Sequence, residues 1–177
     1  MTKKVLIAGF GGQGIILAGK LLAYSAMLEG REVTHFASYG AEMRGGTCNC
    51  AVIVSDKQIS SPVINDADII LALNKPSKDK FEGKCFPDGT IILNKSIIDD
   101  QVKRNDIKSF YVDASNEAAK LGNVKTTNMI MLGALSKITN IVKLETLRTA
   151  LKEVISSRNK SLMEINTKAL EIGYNLS

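Results

Sequence analysis

The apolar positions of this chain change period as it is read. Val5-Leu6-Ile7-Ala8 is an unbroken apolar run, the pattern of a strand covered on both faces. Over residues 15–28 the period lengthens. Ile15, Ala18, Leu22 and Ala26 fall on one helical face, and Gly30 stands where a C-terminal cap belongs. Residues 32–36 predict a second strand, followed by a small-residue loop over 37–46. Residues 47–55 read as a long β-branched strand, Asp56-Lys57 as a turn, and 68–73 as another nearly continuous apolar strand. Pro87-Asp88-Gly89 is a turn signal feeding a strand at 90–93, and 109–112 gives one more. Ser115 is placed to cap a short helix over 116–121. Thr127 opens a helical remainder carrying Met129, Ile130, Leu132, Leu135 and Ile138, which continues through 144–155 and 162–172.

Strands alternating with helices, with no repeat, low-complexity tract or linker, predict one α/β domain over residues 1–177. The expected architecture is a three-layer, Rossmann-like, largely parallel sheet with helices on both faces and a helical C-terminal region. In such a sheet the turn after the first strand and the loop after the second lie at one carboxyl edge, where ligands bind.

That turn is Gly9-Phe10-Gly11-Gly12-Gln13-Gly14, with glycines spaced G-x-G-x-x-G between a strand and a helix. Such a turn lets backbone approach a phosphate while the first helical N–H groups point at it. A dinucleotide site also needs an acidic residue about 20 positions on, at the end of the second strand. Phe36-Ala37-Ser38 stands there instead, Glu29 and Glu32 lie at the wrong end of the strand, and Arg44 falls too late for a 2′-phosphate. A free-standing nicotinamide enzyme is therefore disfavoured.

Composition narrows the classes further. Apolar content of 45% and charged content of 23% suit a globular protein of 177 residues. No apolar run approaches the roughly 18 to 20 residues that span a bilayer. Met1-Thr2-Lys3-Lys4 leads straight into a strand, leaving no room for a signal peptide, so a cytoplasmic chain without membrane partners is expected. Cys48, Cys50 and Cys85 form neither a disulfide framework nor a ferredoxin pattern. On a strand Cys48 and Cys50 share one face, and without a third ligand nearby they read as small buried side chains, not a metal pair. His35 is the single histidine, which excludes a His-rich zinc site. The net charge of +5 is spread over lysines such as Lys75, Lys78, Lys80, Lys84 and Lys103 without interleaved aromatics, a poor fit to nucleic acid. It suits a solvated surface, an acidic partner or a polyphosphate.

Signatures of self-sufficient catalysis are missing: no Gly-x-Ser-x-Gly elbow, no Walker lysine, no thiamine-diphosphate Gly-Asp-Gly run. The chain reads as part of an enzyme. Its unusual loop, Ser38-Tyr39-Gly40-Ala41-Glu42-Met43-Arg44-Gly45-Gly46, puts a carboxylate, a thioether and a guanidinium between glycines. Arg44 is suited to clamp a phosphate or carboxylate, with Glu42 orienting it and Met43 packing on an apolar cofactor surface. The alternative is an Arg–Glu pair that ties the loop down.

The glycine turn with Ile15 and Ala18-Gly19, this loop and Asn49 resemble the gamma subunit of the 2-oxoacid:ferredoxin oxidoreductases. Ile59-x-x-Pro62, Asp68, Ala72-Leu73-Asn74 and Asn128-Met129-x-x-Leu132-Gly133-Ala134 fit the same family, so the likeness runs from residue 4 to about 135. Ala41, where a proline is common, and Cys48 and Cys50, where small or β-branched residues are usual, depart from it. The resemblance implies coenzyme A-dependent oxidative decarboxylation of a 2-oxoacid, 2-oxoglutarate ahead of pyruvate. Thiamine diphosphate with Mg and iron–sulfur clusters would sit on alpha, beta and ferredoxin-like delta subunits, with ferredoxin as electron acceptor in anaerobic metabolism. It makes Gly9, Gly11, Gly12, Gln13, Gly14, Ser38, Tyr39, Arg44 and Gly45 candidate cofactor contacts, and Glu42 and Arg44 candidates to cover the active site. Competing readings are the small subunit of an indolepyruvate oxidoreductase and a non-catalytic acyl-coenzyme A or nucleotide-binding module. A homodimer of the isolated chain is a further expectation to test.

Overall fold

A computed structural model describes residues 1–39, 47–155 and 160–176. Its elements are β1 (Thr2–Phe10), α1 (Ile15–Leu28), β2 (Glu32–Tyr39), β3 (Thr47–Ser55), β4 (Ala67–Ala72) and α2 (Lys75–Phe81). After these come β5 (Cys85–Asn94), β6 (Lys108–Val112), α3 (Ala114–Lys120), α4 (Thr127–Thr139), α5 (Leu144–Val154) and α6 (Lys160–Asn175). The strands form one sheet in the order β2-β3-β1-β4-β5-β6. β1, β4, β5 and β6 pair in parallel, while β3 runs antiparallel to both β1 and β2. This is the expected α/β sheet with one strand reversed. The reversal follows from β2 and β3 forming a hairpin, in register from Glu32 opposite Ser55 to Tyr39 opposite Cys48.

The pleat explains the continuous apolar runs. Val5 and Ile7 of β1 and Leu71 of β4 face one core, built with α1 and α3 to α6. Leu6, Ala8, Ile70 and Ala72 face a second, smaller core closed by Phe81 of α2, Ile98 and Ile107. Both faces of the central strands are thus dry, which demands apolar residues at every position. Among the described residues helices cover both faces, five on the first and α2 alone on the second.

α1 spans the predicted residues, and its end is a Schellman motif. Gly30, at φ 77°, donates its N–H to Met27 O at 2.9 Å, and Arg31 N reaches Ala26 O at 3.1 Å. Four local readings need correction. β2 runs on through Tyr39, because Ala37, Ser38 and Tyr39 stay in the ladder opposite Cys50, Asn49 and Cys48. Pro87-Asp88-Gly89 lies inside β5, where pairing jumps from Ala67–Cys85 to Ile69–Thr90; Asp88 absorbs the bend at φ 60°. α2 was hidden by its polar composition; Asn74 Oδ1 caps it by accepting from Ser77 N at 2.9 Å. α3 starts at Ala114, so Ser115 is no cap; its hydroxyl oxygen accepts from Asn94 Nδ2 at 2.8 Å.

Candidate anion-binding site

From β1 the chain passes into α1 on one face of the sheet, and from β4 into α2 on the other. The carboxyl ends of these neighbouring strands are therefore a topological switch point, the place where open α/β sheets receive ligands. The glycine turn occupies it. Gly11 and Gly12 are exposed, and Gly12 and Gly14 take φ of 94° and 71°, left-handed values that disfavour any side chain. Gln13 folds back into the turn. Its Oε1 accepts from Phe10 N at 2.6 Å and from Asn74 Nδ2 at 3.1 Å, while Gln13 N donates to Phe10 O at 3.1 Å. From the other side Asn128 Nδ2 donates to Gly14 O at 3.0 Å, and a Cβ on Gly14 would overlap that amide. A Cβ on Gly9 would stand 2.6 Å from Ile15 Cδ1 and 2.7 Å from Gln13 Oε1.

The result is a stiff turn in front of an uncapped helix. The first helical bond is Ala18 N to Gly14 O at 3.0 Å, and among the described residues no side chain caps α1. The N–H groups of its first turn therefore face outward past two exposed glycines. That is the arrangement that receives an anion.

The predicted site residues divide accordingly. Gly9, Gly11, Gly12, Gln13 and Gly14 come together, with Gly9 and Gln13 shaping the turn and Gly11 and Gly12 open to a ligand. Ser38 is exposed near the same sheet edge, but β3 lies between its strand and the turn. Tyr39 ends β2, and its side chain falls outside the described residues, as do Glu42, Arg44 and Gly45. Asn74 and Asn128, which brace the turn, were not singled out as site residues. Asn74-Lys75-Pro76 after an apolar strand carries the signal of a capped helix start.

Other candidate chemistry is structural. Cys48 and Cys50 are buried against α1, and Gly19 is needed there because a Cβ would overlap Cys50 Sγ. Burial, then the neighbouring Cys48, pushes the Cys50 thiol up to about 12; burial pushes Cys85 to about 11. Such thiols are poor nucleophiles and metal ligands. His35 is held below its ordinary value by burial first and then by the Lys20 ammonium. Among the described residues no three His, Cys, Asp or Glu side chains converge as a metal site, and no helix is long and apolar enough to cross a membrane.

A mostly parallel sheet with a braced glycine turn at its switch point defines an α/β domain of Rossmann-like architecture. Residues 4–176 match the pyruvate ferredoxin/flavodoxin oxidoreductase family, to which the chain belongs. It is 36% identical over 172 residues to a ketoisovalerate oxidoreductase subunit VorA from Methanothermobacter marburgensis, covering 96% of this chain but 35% of that protein. The chain thus spans about a third of the length of that relative. It is 33% identical over 182 residues to a 2-oxoglutarate synthase subunit KorC from Methanocaldococcus jannaschii, covering 100% of this chain and 95% of the relative. The keto/oxoacid ferredoxin oxidoreductase gamma subunit from Geobacter sulfurreducens superposes with a TM-score of 0.87 at 25% identity, over 99% of this chain and 96% of that one.

Proposed function

We propose that this chain is the gamma subunit of a cytoplasmic 2-oxoacid:ferredoxin oxidoreductase and lends its glycine turn to coenzyme A. The observation that carries the reading is the uncapped α1 N-terminus behind exposed Gly11 and Gly12, held rigid by Gln13, Asn74 and Asn128. These groups fit a phosphate: they offer backbone N–H donors, positive helix-end potential and no competing carboxylate in the turn. An anion there gains about 0.3–1 kcal/mol when exposed and up to about 2 when partly buried. The turn alone therefore binds weakly, and Arg44 with neighbouring subunits supplies the rest. Thiamine diphosphate with Mg and the iron–sulfur clusters supply carbanion stabilisation and electron transfer from the alpha, beta and delta subunits. Among substrates we favour 2-oxoglutarate, supported by KorC subunits among the relatives matched over nearly their whole length, beside which stands a pyruvate/ketoisovalerate gamma subunit from Thermococcus kodakarensis.

The test is recovery of tagged chain from its native anaerobic extract, assayed for co-purified subunits, thiamine diphosphate, iron and coenzyme A-dependent dye reduction on a panel of 2-oxoacids. A chain that comes out alone from cells expressing it overturns the reading and leaves a non-catalytic binding module. In the active complex, Arg44→Ala is expected to cost roughly 1.5–3 kcal/mol, the range for a hydrogen bond to a charged group. That is a rise of about ten- to hundredfold in KM for coenzyme A. Unchanged turnover and unchanged coenzyme A dependence would remove Arg44 from the site.

A further inference from the structure

The last glycine of the turn is held by a side chain 114 positions further along the chain. Asn128 is the second residue of α4 and is 2% exposed. Its Nδ2 donates to Gly14 O at 3.0 Å, and its Oδ1 accepts from Met129 N at 3.0 Å. A buried amide is costly unless both its ends are paired, and here they are. An apolar side chain would join α1 to α4 without that demand. The amide therefore answers a need for a hydrogen bond at Gly14, not for contact alone.

That need is direction. Gly14 O also accepts from Ala18 N at 3.0 Å, so two donors fill the two lone pairs of one carbonyl. The peptide that carries this oxygen is planar and trans, with its C=O and its N–H pointing opposite ways. Fixing Gly14 O therefore fixes the Ile15 N–H, the first donor of α1 and one with no acceptor inside the helix. Without a Cβ, Gly14 gives this peptide no stiffness of its own. Gln13 braces the opposite end of the turn through the Phe10 N–H, and among the described residues no other side chain bonds Gly14 O.

Asn128 is itself set on a stiff support. At the entry to α4 the Thr126 and Thr127 hydroxyls donate to Asn123 O at 2.7 Å and Val124 O at 2.8 Å. Further along, α4 meets α6 so closely that a Cβ on Gly133 would overlap Leu170 O. We infer that Asn128 is a positioning residue for coenzyme A, aiming the Ile15 N–H at a phosphate of that ligand. The inference rests on the coenzyme A reading above, and it assigns the aim of the turn to α4.

The experiment uses the intact complex. Coenzyme A binding is measured calorimetrically without 2-oxoacid or electron acceptor, and KM and kcat are measured separately. Asn128→Asp keeps the shape of the side chain and the acceptor for Met129 N but loses the donor. Asn128→Ala loses the donor without adding charge, and either variant serves should the other fail to fold. Both should weaken Kd and raise KM for coenzyme A about tenfold, part of what a hydrogen bond to a charged group contributes, with kcat at saturating coenzyme A unchanged. KM for the 2-oxoacid should not move. Ile107→Ala is the control. It opens a cavity in the core on the other face of the sheet, so it should lower the melting temperature and bind coenzyme A as wild type does. If the Asn128 variants bind as tightly as wild type, the positioning role is overturned while the subunit reading stands. If Ile107→Ala loses as much affinity as they do, Asn128 acts through stability alone and the inference is overturned. A wild-type complex that binds no coenzyme A overturns the coenzyme A reading, and this inference with it.

Discussion

Asn74 and Gln13 meet across the carboxyl ends of β4 and β1, the Asn74 amide donating to Gln13 Oε1 at 3.1 Å. The same oxygen takes the Phe10 N–H, and the other end of the Asn74 side chain caps α2. One hydrogen-bonded chain thus ties the glycine turn to the first turn of α2, on opposite faces of the sheet. It braces the turn at the switch point from the side of β4 while leaving Gly11 and Gly12 exposed.

Breaking that link should cost stability before function is even tested. Gln13→Ala leaves the Phe10 N–H and the Asn74 amide without their acceptor, and Asn74→Ala removes an N-cap as well. About 1–3 kcal/mol is expected for each, from one unsatisfied buried group and, for Asn74, a cap worth about 1 kcal/mol. Denaturant unfolding measures it. A Gln13→Ala protein within 0.5 kcal/mol of wild type, a margin of about the size seen for neutral surface changes, would show that the turn holds its shape unaided.

The parts of this fold legible in the sequence were those fixed by local chemistry. α1 was bounded by a glycine turn at one end and Gly30 at the other, and both positions require a backbone that side chains resist. The direction of β3 was not legible, because hairpin pairing leaves the same β-branched signature as a parallel ladder. Pro87-Asp88-Gly89 carries turn chemistry honestly, yet a bulge inside a strand uses the same residues. Lys78, counted with the surface lysines, is completely buried; nothing in its neighbours' composition distinguishes it from Lys80. Of the site, the turn was visible and its asparagine braces were not, since contacts between residues 61 and 114 positions apart leave no periodic trace.

α4 and α6 cross with their backbones nearly touching, which makes two glycines irreplaceable. A Cβ on Gly173 would overlap Ile130 O and stand 2.6 Å from Ile130 C; one on Gly133 would overlap Leu170 O. Because the obstacles are backbone atoms, no rotamer change relieves them. Gly173→Ala should therefore destabilise by about 2 kcal/mol or more, at the upper part of the overpacking range. Gly83→Ala, where nothing lies within 4 Å, is the control and should change stability by less than about 0.5 kcal/mol. Equal melting temperatures for the two variants would mean that the helices can part at no cost.

The buried Lys78–Glu82 pair sets an acid limb of stability. Lys78 Nζ lies 3.2 Å from Glu82 Oε2, and Glu82 Oε1 accepts from Lys103 N at 2.6 Å and Arg104 N at 3.1 Å. Burial pushes the Glu82 carboxyl up, but the Lys103 N–H, the Lys78 ammonium and the Arg104 N–H outweigh it and hold the group below its ordinary value of 4.5. With the folded value below the unfolded one, the unfolded chain binds the proton first. The charged Glu82 therefore adds stability that is complete above about pH 5 and is lost as pH falls through the folded value. Glu82→Gln strands the Lys78 charge, with Asp79 at 3.6 Å as its remaining partner, and should cost about 3 kcal/mol at pH 7. Its melting temperature should also fall less steeply between about pH 5 and 3 than that of wild type. Asp56 and Asp106 are depressed too, by the N-terminal ammonium and by Arg104, and their slopes cancel between the two proteins. Lys78→Met combined with Glu82→Gln should recover much of the loss, because the stranded charge is then gone. Parallel acid limbs in wild type and Glu82→Gln would assign the pH dependence to the surface carboxylates alone.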